Sequence, residues 1–267
     1  MRPKYIEDFL GDSRESGTQI CYQLCPICNS DGWNVYIAQD TGLWLCFKCG
    51  AKGKVLTNHE SIMPADAPGQ MPALNDLPEI DLPPFRRSTQ MSQECWDYLR
   101  SRGVSATDIY RYMLVEDLTG TAVIIPYYAP NGKQIYWSMR KFGQHKKETK
   151  YMGAPGKHPI FFFPGAAQEP TVIVEGAFDA MAVHSATELN VAALGGKTWA
   201  RHLRRQLFDC CKSGRVLIML DGDALSYSMK LAQELQPFVE VRVVPLQHGE
   251  DPASIGSEAL KELLVWK

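Results

Sequence analysis

The chain has 267 residues, of which 45% are hydrophobic and 22% charged, and its 28 lysines and arginines against 30 acids give a net charge of −2. This ordinary globular composition excludes collagen-like, wholly disordered and coiled-coil proteins, and the length suits one large domain or two to three small ones at roughly 100–200 residues each. The small net charge argues against indiscriminate nucleic-acid binding.

Charge and hydrophobicity along the chain narrow the class further. No stretch approaches the ~18 consecutive apolar residues of a membrane span, and the charged N-terminus is not typical of a signal peptide, so we expect a cytoplasmic protein. Residues 91–165 carry 10 basic and 6 acidic side chains, whereas the stretches on either side are net acidic. Any polyanion site should therefore centre on the middle of the chain.

Four of the eight cysteines form two C-x-x-C pairs separated by 17 residues: Cys25, Cys28, Cys46 and Cys49. Two such turns complete a tetrahedron around Zn²⁺, and in a reducing compartment the pattern indicates metal rather than disulfides. We predict one structural zinc per chain, in a ribbon with strands at 33–37 and 43–45. The alternative is four unligated buried cysteines. Cys21 could compete as a ligand, but the other four already close a site.

Aromatic and basic side chains surround these cysteines and could stack on bases and contact phosphates. The candidates for template contact are Trp33, Trp44 and Lys48, with Tyr36, Phe47, Lys52 and Lys54 close by. The alternative is that the aromatic side chains are the core of this small domain. We expect that alternative to hold for at least two of the four.

Residues 58–90 contain six prolines, few large apolar residues and no hydrophobic period. This composition predicts a linker that is semi-extended by proline. The zinc domain before it would then be tethered and free to change position.

Two short helices and a β-hairpin are predicted after the linker. Ser92 is placed to cap the first helix and Ser105 to cap the second. The hairpin has strands at 122–128 and 134–139, and the Asn-Gly pair at 131–132 is typical of a type I′ turn.

Basic side chains dominate residues 133–158, where seven of them stand against one acid, Glu148. They are Lys133, Arg140, Lys141, Lys146, Lys147, Lys150 and Lys157. Because Trp137, Phe142 and Tyr151 are interleaved with them, we interpret the segment as a track for a polyanion rather than a plain basic loop.

Four apolar runs alternate with helical stretches after residue 168, at 171–174, 191–194, 216–220 and 239–244. The alternation predicts a four-stranded parallel sheet with helices on both faces. Ligands of such a sheet bind beyond the carboxyl ends of its strands.

Acidic residues lie at that edge, in E-G-x-x-D at 175–179, D-G-D at 221–223 and E-D-P at 250–252. Carboxylates gathered at one edge repel each other unless a hard cation neutralises them, and Mg²⁺ does so while accepting phosphate oxygens as further ligands. Helix capping would explain Asp179 or Glu250 alone. It does not explain three clusters at one edge.

A Gly-Gly-Lys-Thr run at 195–198 is predicted to open a helix that places Arg201, Arg204 and Arg205 on one face. Lys197 and these arginines are candidates for phosphate or partner binding. A solvated surface is an equally good explanation for the arginines.

Together these motifs resemble a known family. The E-G-x-x-D, D-G-D and E-D-P motifs on a parallel sheet look like the Toprim domain, and the four-cysteine ribbon makes the chain similar to bacterial- and phage-type DNA primases. Residues 98–104, 125–132 and 150–155 are similar to stretches that precede Toprim in the primase half of phage primase-helicases. The chain lacks the G-x-x-x-x-G-K-[ST] loop of a helicase portion, so the resemblance implies a stand-alone primase or a primase fragment.

The resemblance implies an α/β fold, α+β overall, in four parts. These are a template-binding β zinc ribbon (1–57), the linker (58–90), a basic subdomain of an RNA polymerase domain (91–168) and a Toprim catalytic subdomain (169–267). The implied activity is template-directed synthesis of short RNA primers from ribonucleoside triphosphates on single-stranded DNA, in a bacterial or infected-host cytoplasm. A replicative helicase and a DNA polymerase would act in trans.

The resemblance also implies two catalytic Mg²⁺ ions, for which Mn²⁺ can substitute. Their expected ligands are Asp179, Asp221, Asp223 and Asp251. The expected catalytic residues are Glu175, as ligand or acid/base group, with Asp221 and Asp223. Triphosphate or template would be held by Arg140, Lys141 and Lys150.

Two rival activities remain for the same parts. A RecR-like mediator also joins a four-cysteine zinc site to a Toprim-like unit, but the order of parts and the basic hairpin argue against it. A Toprim nuclease uses the same acids to cleave, but has no reason to carry the ribbon.

Overall fold

The computed structural model describes residues 9, 12–16, 19–38, 42–55, 71–147, 151–196 and 201–266. The chain divides into two compact units, Met1–Pro68 and Gly69–Lys267. Among the helices of these described ranges, none has the length and apolar character needed to cross a bilayer.

The first unit is an antiparallel sheet whose five strands are paired in chain order. They are β1 (Ser13–Ser16), β2 (Gln19–Leu24), β3 (Asp31–Ala38), β4 (Leu43–Cys46) and β5 (Lys52–Lys54). Strands β3 and β4 confirm the predicted pair. The core of this unit is small and consists mainly of Phe9, Val35, Ile37, Trp44 and Val55. So small a core leaves much of the folding energy to be supplied by bound metal.

Residues 71–90 do not form the predicted extended linker. Met71, Leu74 and Leu77 are buried in the core of the second unit, and Gln206 Nε2 donates a hydrogen bond to the Pro72 carbonyl at 2.8 Å. The segment contains 3₁₀ turns at Leu74–Asp76 and Ser88–Gln90 and the short strand β6 (Phe85–Arg86). The apolar residues recur every three positions and bury together, a spacing that the prolines obscured. The predicted linker residues 58–70 lie outside the described residues.

The basic subdomain pairs a second antiparallel sheet with two helices. Its strands lie in the order β10-β9-β8-β7-β6, with β7 at Val115–Asp117, β8 at Ala122–Tyr128, β9 at Gln134–Lys141 and β10 at Tyr151–Gly153. Helices α1 (Gln93–Ser101) and α2 (Ala106–Arg111) begin as predicted: the Ser92 hydroxyl accepts from the Cys95 amide, and Ser105 forms a capping box with Asp108.

The β8–β9 hairpin is confirmed, but its turn is not type I′. That turn needs a positive φ at both central residues, whereas only Gly132 has one, at +83°, and Asn131 does not. The Gly132 amide donates to the Ala129 carbonyl at 2.8 Å, which puts Pro130 second in the turn. Proline fixes φ near −65° and so favours a type I turn followed by a left-handed glycine.

The C-terminal sheet has the strand order β11-β13-β12-β14-β15. Strands β12 (Thr171–Val174), β13 (Asn190–Ala193), β14 (Arg215–Ile218) and β15 (Glu240–Val243) are parallel as predicted, and β11 (Phe161–Phe163) adds an antiparallel edge. The helices are α3 (Ala177–Thr187), α4 (Arg204–Cys210), α5 (Leu225–Leu235) and α6 (Ser257–Leu263). Right-handed crossovers put α3 on one face and α4 and α5 on the other, and α6 packs against α3.

Candidate functional site

The four predicted zinc ligands come together in the first unit. All four Sγ atoms lie within 4.8 Å of one another, with Cys25 to Cys49 at 3.9 Å and Cys28 to Cys46 at 4.0 Å. A tetrahedron with Zn–S bonds of about 2.3 Å has edges of about 3.8 Å, so the thiols fit Zn²⁺. The Cys21 thiol donates to the Trp33 carbonyl at 3.1 Å instead, as expected for a cysteine outside the metal site.

Local backbone turns hold the two cysteine pairs. The Asn29 amide donates to the Cys25 carbonyl and the Gly50 amide to the Cys46 carbonyl. Burial raises the pKa of Cys25 to about 12, whereas hydrogen bonds with Ser30 lower the pKa of Cys28 to about 6. Metal binding therefore has to remove a proton from Cys25, as is usual for thiolate ligands.

Fewer aromatic side chains of the ribbon belong to its core than the sequence predicted. Trp44 is 3% exposed and meets the Phe9 ring edge-on at 5.4 Å, so it belongs to the core and cannot stack on a base. It is the only buried one of the four aromatic candidates, fewer than the two expected. Trp33 is half-buried, with the Arg14 guanidinium 4.5 Å from its ring centroid, and Phe47 and Lys48 are exposed. Of the three main candidates, Trp33 and Lys48 keep a surface position.

The acidic motifs lie at the point in the parallel sheet where the order of successive strands reverses. Strands β12 and β14 are neighbours, and their crossovers leave toward opposite faces, an arrangement in which ligands bind beyond the carboxyl ends of the strands. Glu175 follows β12, and residues 221–223 follow β14. The Gly222 amide donates to the Glu250 carbonyl at 2.9 Å, which holds the loop containing Asp251 against the D-G-D turn.

Glycine is required at position 222 by this close approach. A Cβ there would collide with the carbonyl oxygen of Gln247. The Glu250 carboxylate accepts from the Gln247 amide at 3.0 Å and so stabilises its own loop, in keeping with the local role considered for it. Of the two acids in this loop, Asp251 is the one whose charge acts on Asp179.

Asp179 shows how strongly the negative charges interact. It is 7% exposed; its Oδ2 accepts from the Gly176 amide at 3.1 Å, and its buried Oδ1 accepts no hydrogen bond from the described residues. Burial and the charges of Asp221 and Asp251 raise the pKa of Asp179 to about 7, although Arg102 opposes them. A cation at this edge would relieve the repulsion, so the donor set fits Mg²⁺.

The carboxylates do not form a closed metal cage. Within the described ranges, the four thiols are the only group of three or more possible ligand atoms within 4.8 Å of one another. Asp223 is exposed, and Glu175 and Asp221 are half-buried with one carboxylate oxygen each shielded from solvent. Mg²⁺ tolerates such an open arrangement because it keeps waters and takes substrate phosphate oxygens.

Arg140 of the basic subdomain lies close to this acidic edge. It is 8% exposed; its Nε donates to the Tyr98 hydroxyl at 3.2 Å, and its guanidinium lies 4.3 Å from the Tyr151 ring centroid. Burial raises the pKa of Tyr151, which also responds to Asp179 and Arg102. The Tyr98 ring also meets the Phe178 ring edge-on at 6.2 Å, and Phe178 directly precedes Asp179, so packing connects Arg140 to the acidic edge.

The structure describes few of the lysines that were predicted to contact phosphate. Lys141 is half-buried, Lys150 and Lys197 lie outside the described residues, and so do the side chains of Lys146 and Lys147. Of the predicted helix start at 195–198, residues 197 and 198 lie outside the described residues, and α4 begins at Arg204 after a 3₁₀ turn at Arg201–Leu203.

Of the three arginines predicted on one face, the structure describes the side chains of Arg204 and Arg205. The Arg204 guanidinium lies 5.9 Å from the Phe208 and Phe238 ring centroids, and Arg205 Nη2 lies 3.7 Å from the Asp76 carboxylate. Their different partners in the protein favour a structural role.

Sequence reasoning assigned no role to Arg102. Its Nη2 lies 3.9 Å from the Asp251 carboxylate, and its guanidinium lies 5.4 Å from the Phe178 ring centroid. The signal for it was its place in residues 98–104, one of the stretches that carries the family resemblance.

The parallel sheet and its acidic edge define a Toprim-like domain: residues 172–255 match the family model of that description. The chain as a whole has the fold of bacterial and phage primases. It is 22% identical to the zinc-binding and RNA polymerase domains of the Aquifex aeolicus primase, covering 97% of this chain and 81% of that one with a TM-score of 0.54.

Two further structures agree with this fold. The primase fragment of the bacteriophage T7 primase-helicase is 18% identical, covering 93% of this chain and 100% of that one with a TM-score of 0.52. The RNA polymerase domain of Mycobacterium tuberculosis primase DnaG is 18% identical, covering 65% and 76% with a TM-score of 0.52. By sequence, no curated protein matches significantly.

Proposed function

We propose that the protein is a DNA primase, which synthesises short RNA primers from ribonucleoside triphosphates on a single-stranded DNA template. The observation that carries the proposal is the meeting of the D-G-D turn with the loop of Asp251 at one edge of a Toprim-like sheet, to which Arg140 is connected through Tyr98 and Phe178. Nucleotidyl transfer needs carboxylates for metal and cations for phosphate, and this edge offers both.

The chain's own residues would divide the work as follows. Asp221 and Asp223, with Asp179 and Asp251, would hold Mg²⁺ or Mn²⁺, and Glu175 would act as a further ligand or as acid/base group. Bound there, Mg²⁺ would lower the pKa of the primer 3′-hydroxyl and neutralise charge on the leaving pyrophosphate. Arg140, whose Nε donates to the Tyr98 hydroxyl, would orient the triphosphate. Lys141, Lys150 and Lys197 would add positive charge along the path of the triphosphate or of the template.

The zinc ribbon would select the template through Trp33 and Lys48, which keep surface positions. The partners of the reaction would be single-stranded DNA, the triphosphates and the nascent primer, with a replicative helicase and a DNA polymerase acting in trans. The reaction would take place in the cytoplasm of a bacterium or of an infected host.

One incubation separates primase from its rivals. The protein is mixed with single-stranded DNA, Mg²⁺ and labelled ATP, CTP, GTP and UTP, and the products are resolved on a denaturing gel. A primase yields labelled oligoribonucleotides that depend on the DNA. A mediator yields none, and a Toprim nuclease shortens the DNA, so either result refutes the proposal.

A further inference from the structure

Tyr151 differs from the other aromatic residues of the basic subdomain in its combination of exposure and support. It lies on the edge strand β10, directly across the ladder from Arg140 of β9, and it is 46% exposed. Phe142, by contrast, is fully buried, and Trp137 is half-buried. Of the three aromatic residues interleaved with the basic side chains, Tyr151 is thus the one that presents a ring to solvent.

A series of packed side chains lies against one face of this ring. The Tyr98 ring stacks on buried Phe142 at 5.4 Å with an interplanar angle of 24°. The Tyr98 hydroxyl accepts from Arg140 Nε, and the Arg140 guanidinium lies under the Tyr151 ring at 4.3 Å. Arg140 covers one face of the ring, yet the residue as a whole remains 46% exposed, so we infer that the opposite face is open. A ring that is already held in place loses little entropy when a ligand stacks on it.

The ring also has a defined position relative to the acidic edge. The stack beneath it reaches that edge, because the Tyr98 ring meets the Phe178 ring at 6.2 Å and Phe178 directly precedes Asp179 on α3. A nucleoside triphosphate whose phosphates are held at those carboxylates would have its base near the Tyr151 ring. The aromatic ring over Arg140 provides a contact for the base. The acidic edge provides a separate place for the phosphates.

We propose that the exposed face of Tyr151 is a stacking platform for the base of the nucleoside triphosphate bound at the acidic edge. This inference rests on the proposed primase function and names a subsite of it. Every base has a π-face, so the platform would bind all four triphosphates without selecting among them. It would act on substrate binding and leave the chemical step to the carboxylates.

The test replaces Tyr151 in the full-length protein and measures KM and kcat for each triphosphate during extension of a supplied oligoribonucleotide. Tyr151→Ala should raise KM for all four triphosphates by about 10-fold or more, with kcat changed less than about threefold. Tyr151→Phe should keep the wild-type KM, because it keeps the ring. Tyr110→Ala on α2 is the control, since Tyr110 is 59% exposed and takes no part in the stack.

A second variant separates stacking from a structural role. Tyr151→Leu keeps an apolar cover over Arg140 but offers no ring, so a KM defect shared by the Leu and Ala variants identifies the ring itself. An unchanged KM in Tyr151→Ala, or a Leu variant that behaves as wild type, would overturn the platform. Equal damage in Tyr151→Phe and Tyr151→Ala would also overturn it and transfer the role to the hydroxyl.

Calorimetric titration with ATP and Mg²⁺ provides a readout that needs no polymerisation. Loss of ATP binding in Tyr151→Ala but not in Tyr151→Phe supports the platform even if the wild type makes no RNA, in which case only the primase function fails. Equal ATP binding by all variants overturns the platform alone. A wild-type protein that binds no triphosphate overturns both.

Discussion

The Arg102 guanidinium lies 3.9 Å from the carboxylate of Asp251, which connects the end of helix α1 to the acidic loop that follows β15. Arg102 also acts on Asp179, whose pKa it lowers against the effect of burial and of the neighbouring acids. One arginine of the basic subdomain therefore adjusts the charge of the carboxylates across the site.

Removing this arginine should shift the pH dependence of metal binding. Without it, the pKa of Asp179 rises further, so Arg102→Ala should move the acidic limb of Mg²⁺-dependent activity to higher pH. Arg102→Lys keeps the positive charge and should move it less. Activity measured from pH 5.5 to 9 at subsaturating Mg²⁺ checks this, and identical limbs in all three proteins would contradict it.

Asp179 should make stability depend on pH in the absence of added Mg²⁺. Its folded pKa of about 7 exceeds the ordinary 3.8, so the folded state binds this proton more tightly and loses stability as pH rises between those values. Asp179→Asn removes the charge, and its amide oxygen can still accept from the Gly176 amide. At pH 8 the variant should be more stable by roughly 1–4 kcal/mol.

Thermal unfolding at pH 4 and pH 8 checks the sign, because the advantage of the variant should vanish near pH 4. Added Mg²⁺ should raise the melting temperature of the wild type more than that of Asp179→Asn. A variant that is less stable than wild type at pH 8 would show that the capping role of Asp179 outweighs its repulsion.

Asp221→Ala and Asp223→Ala should each lower primer synthesis by at least ~10²-fold, by analogy with deletion of single groups that act on a transition state. Binding of single-stranded DNA should stay intact or become slightly tighter, because a charge that repels phosphate is lost. The matched control is Asp209→Ala, which removes an exposed acid of α4. Wild-type turnover in either variant would exclude the metal role of that aspartate.

The zinc site can be tested with two cysteine variants of the same sheet. Cys46→Ser should lose zinc, because it removes one of the four clustered thiols, whereas Cys21→Ser should keep it, because that thiol bonds to the Trp33 carbonyl. Metal analysis of the purified proteins measures the zinc. Circular dichroism should show that the second unit stays folded in Cys46→Ser, and full zinc retention there would disprove the assignment.

The surface of the ribbon should govern where primers begin. Joint replacement of Trp33 and Lys48 by Ala should alter the template sequences at which synthesis starts and spare extension of a supplied oligoribonucleotide. Leu43→Ala is the control, because Leu43 is an exposed apolar residue of the same sheet. Sequencing the primer start sites measures the effect, and unchanged start sites would transfer template reading to the basic subdomain.

Short-range patterns were enough to predict much of this protein. The C-x-x-C spacing is local, so it identified the four cysteines whose thiols cluster, and the serines at 92 and 105 cap helices because a cap needs only the next few residues. The parallel strands were likewise recognisable, because each is a short apolar run followed by a helix. Since parallel strands end at one edge, acids at strand ends had to lie together.

Contacts between distant parts of the chain were decided by the tertiary structure. The apolar residues at 71, 74 and 77 are buried because a core lies beside them, and Trp44 is buried because Phe9 packs on it. The pairing of Arg102 with Asp251 depends on how the basic subdomain packs against the C-terminal sheet, and the stack of Arg140 under Tyr151 depends on the pairing of β9 with β10. The sequence alone determined which residues could bind metal and phosphate. Only packing determined which of them share a site, because burial and long-range charge arise from neighbours that sequence spacing does not reveal.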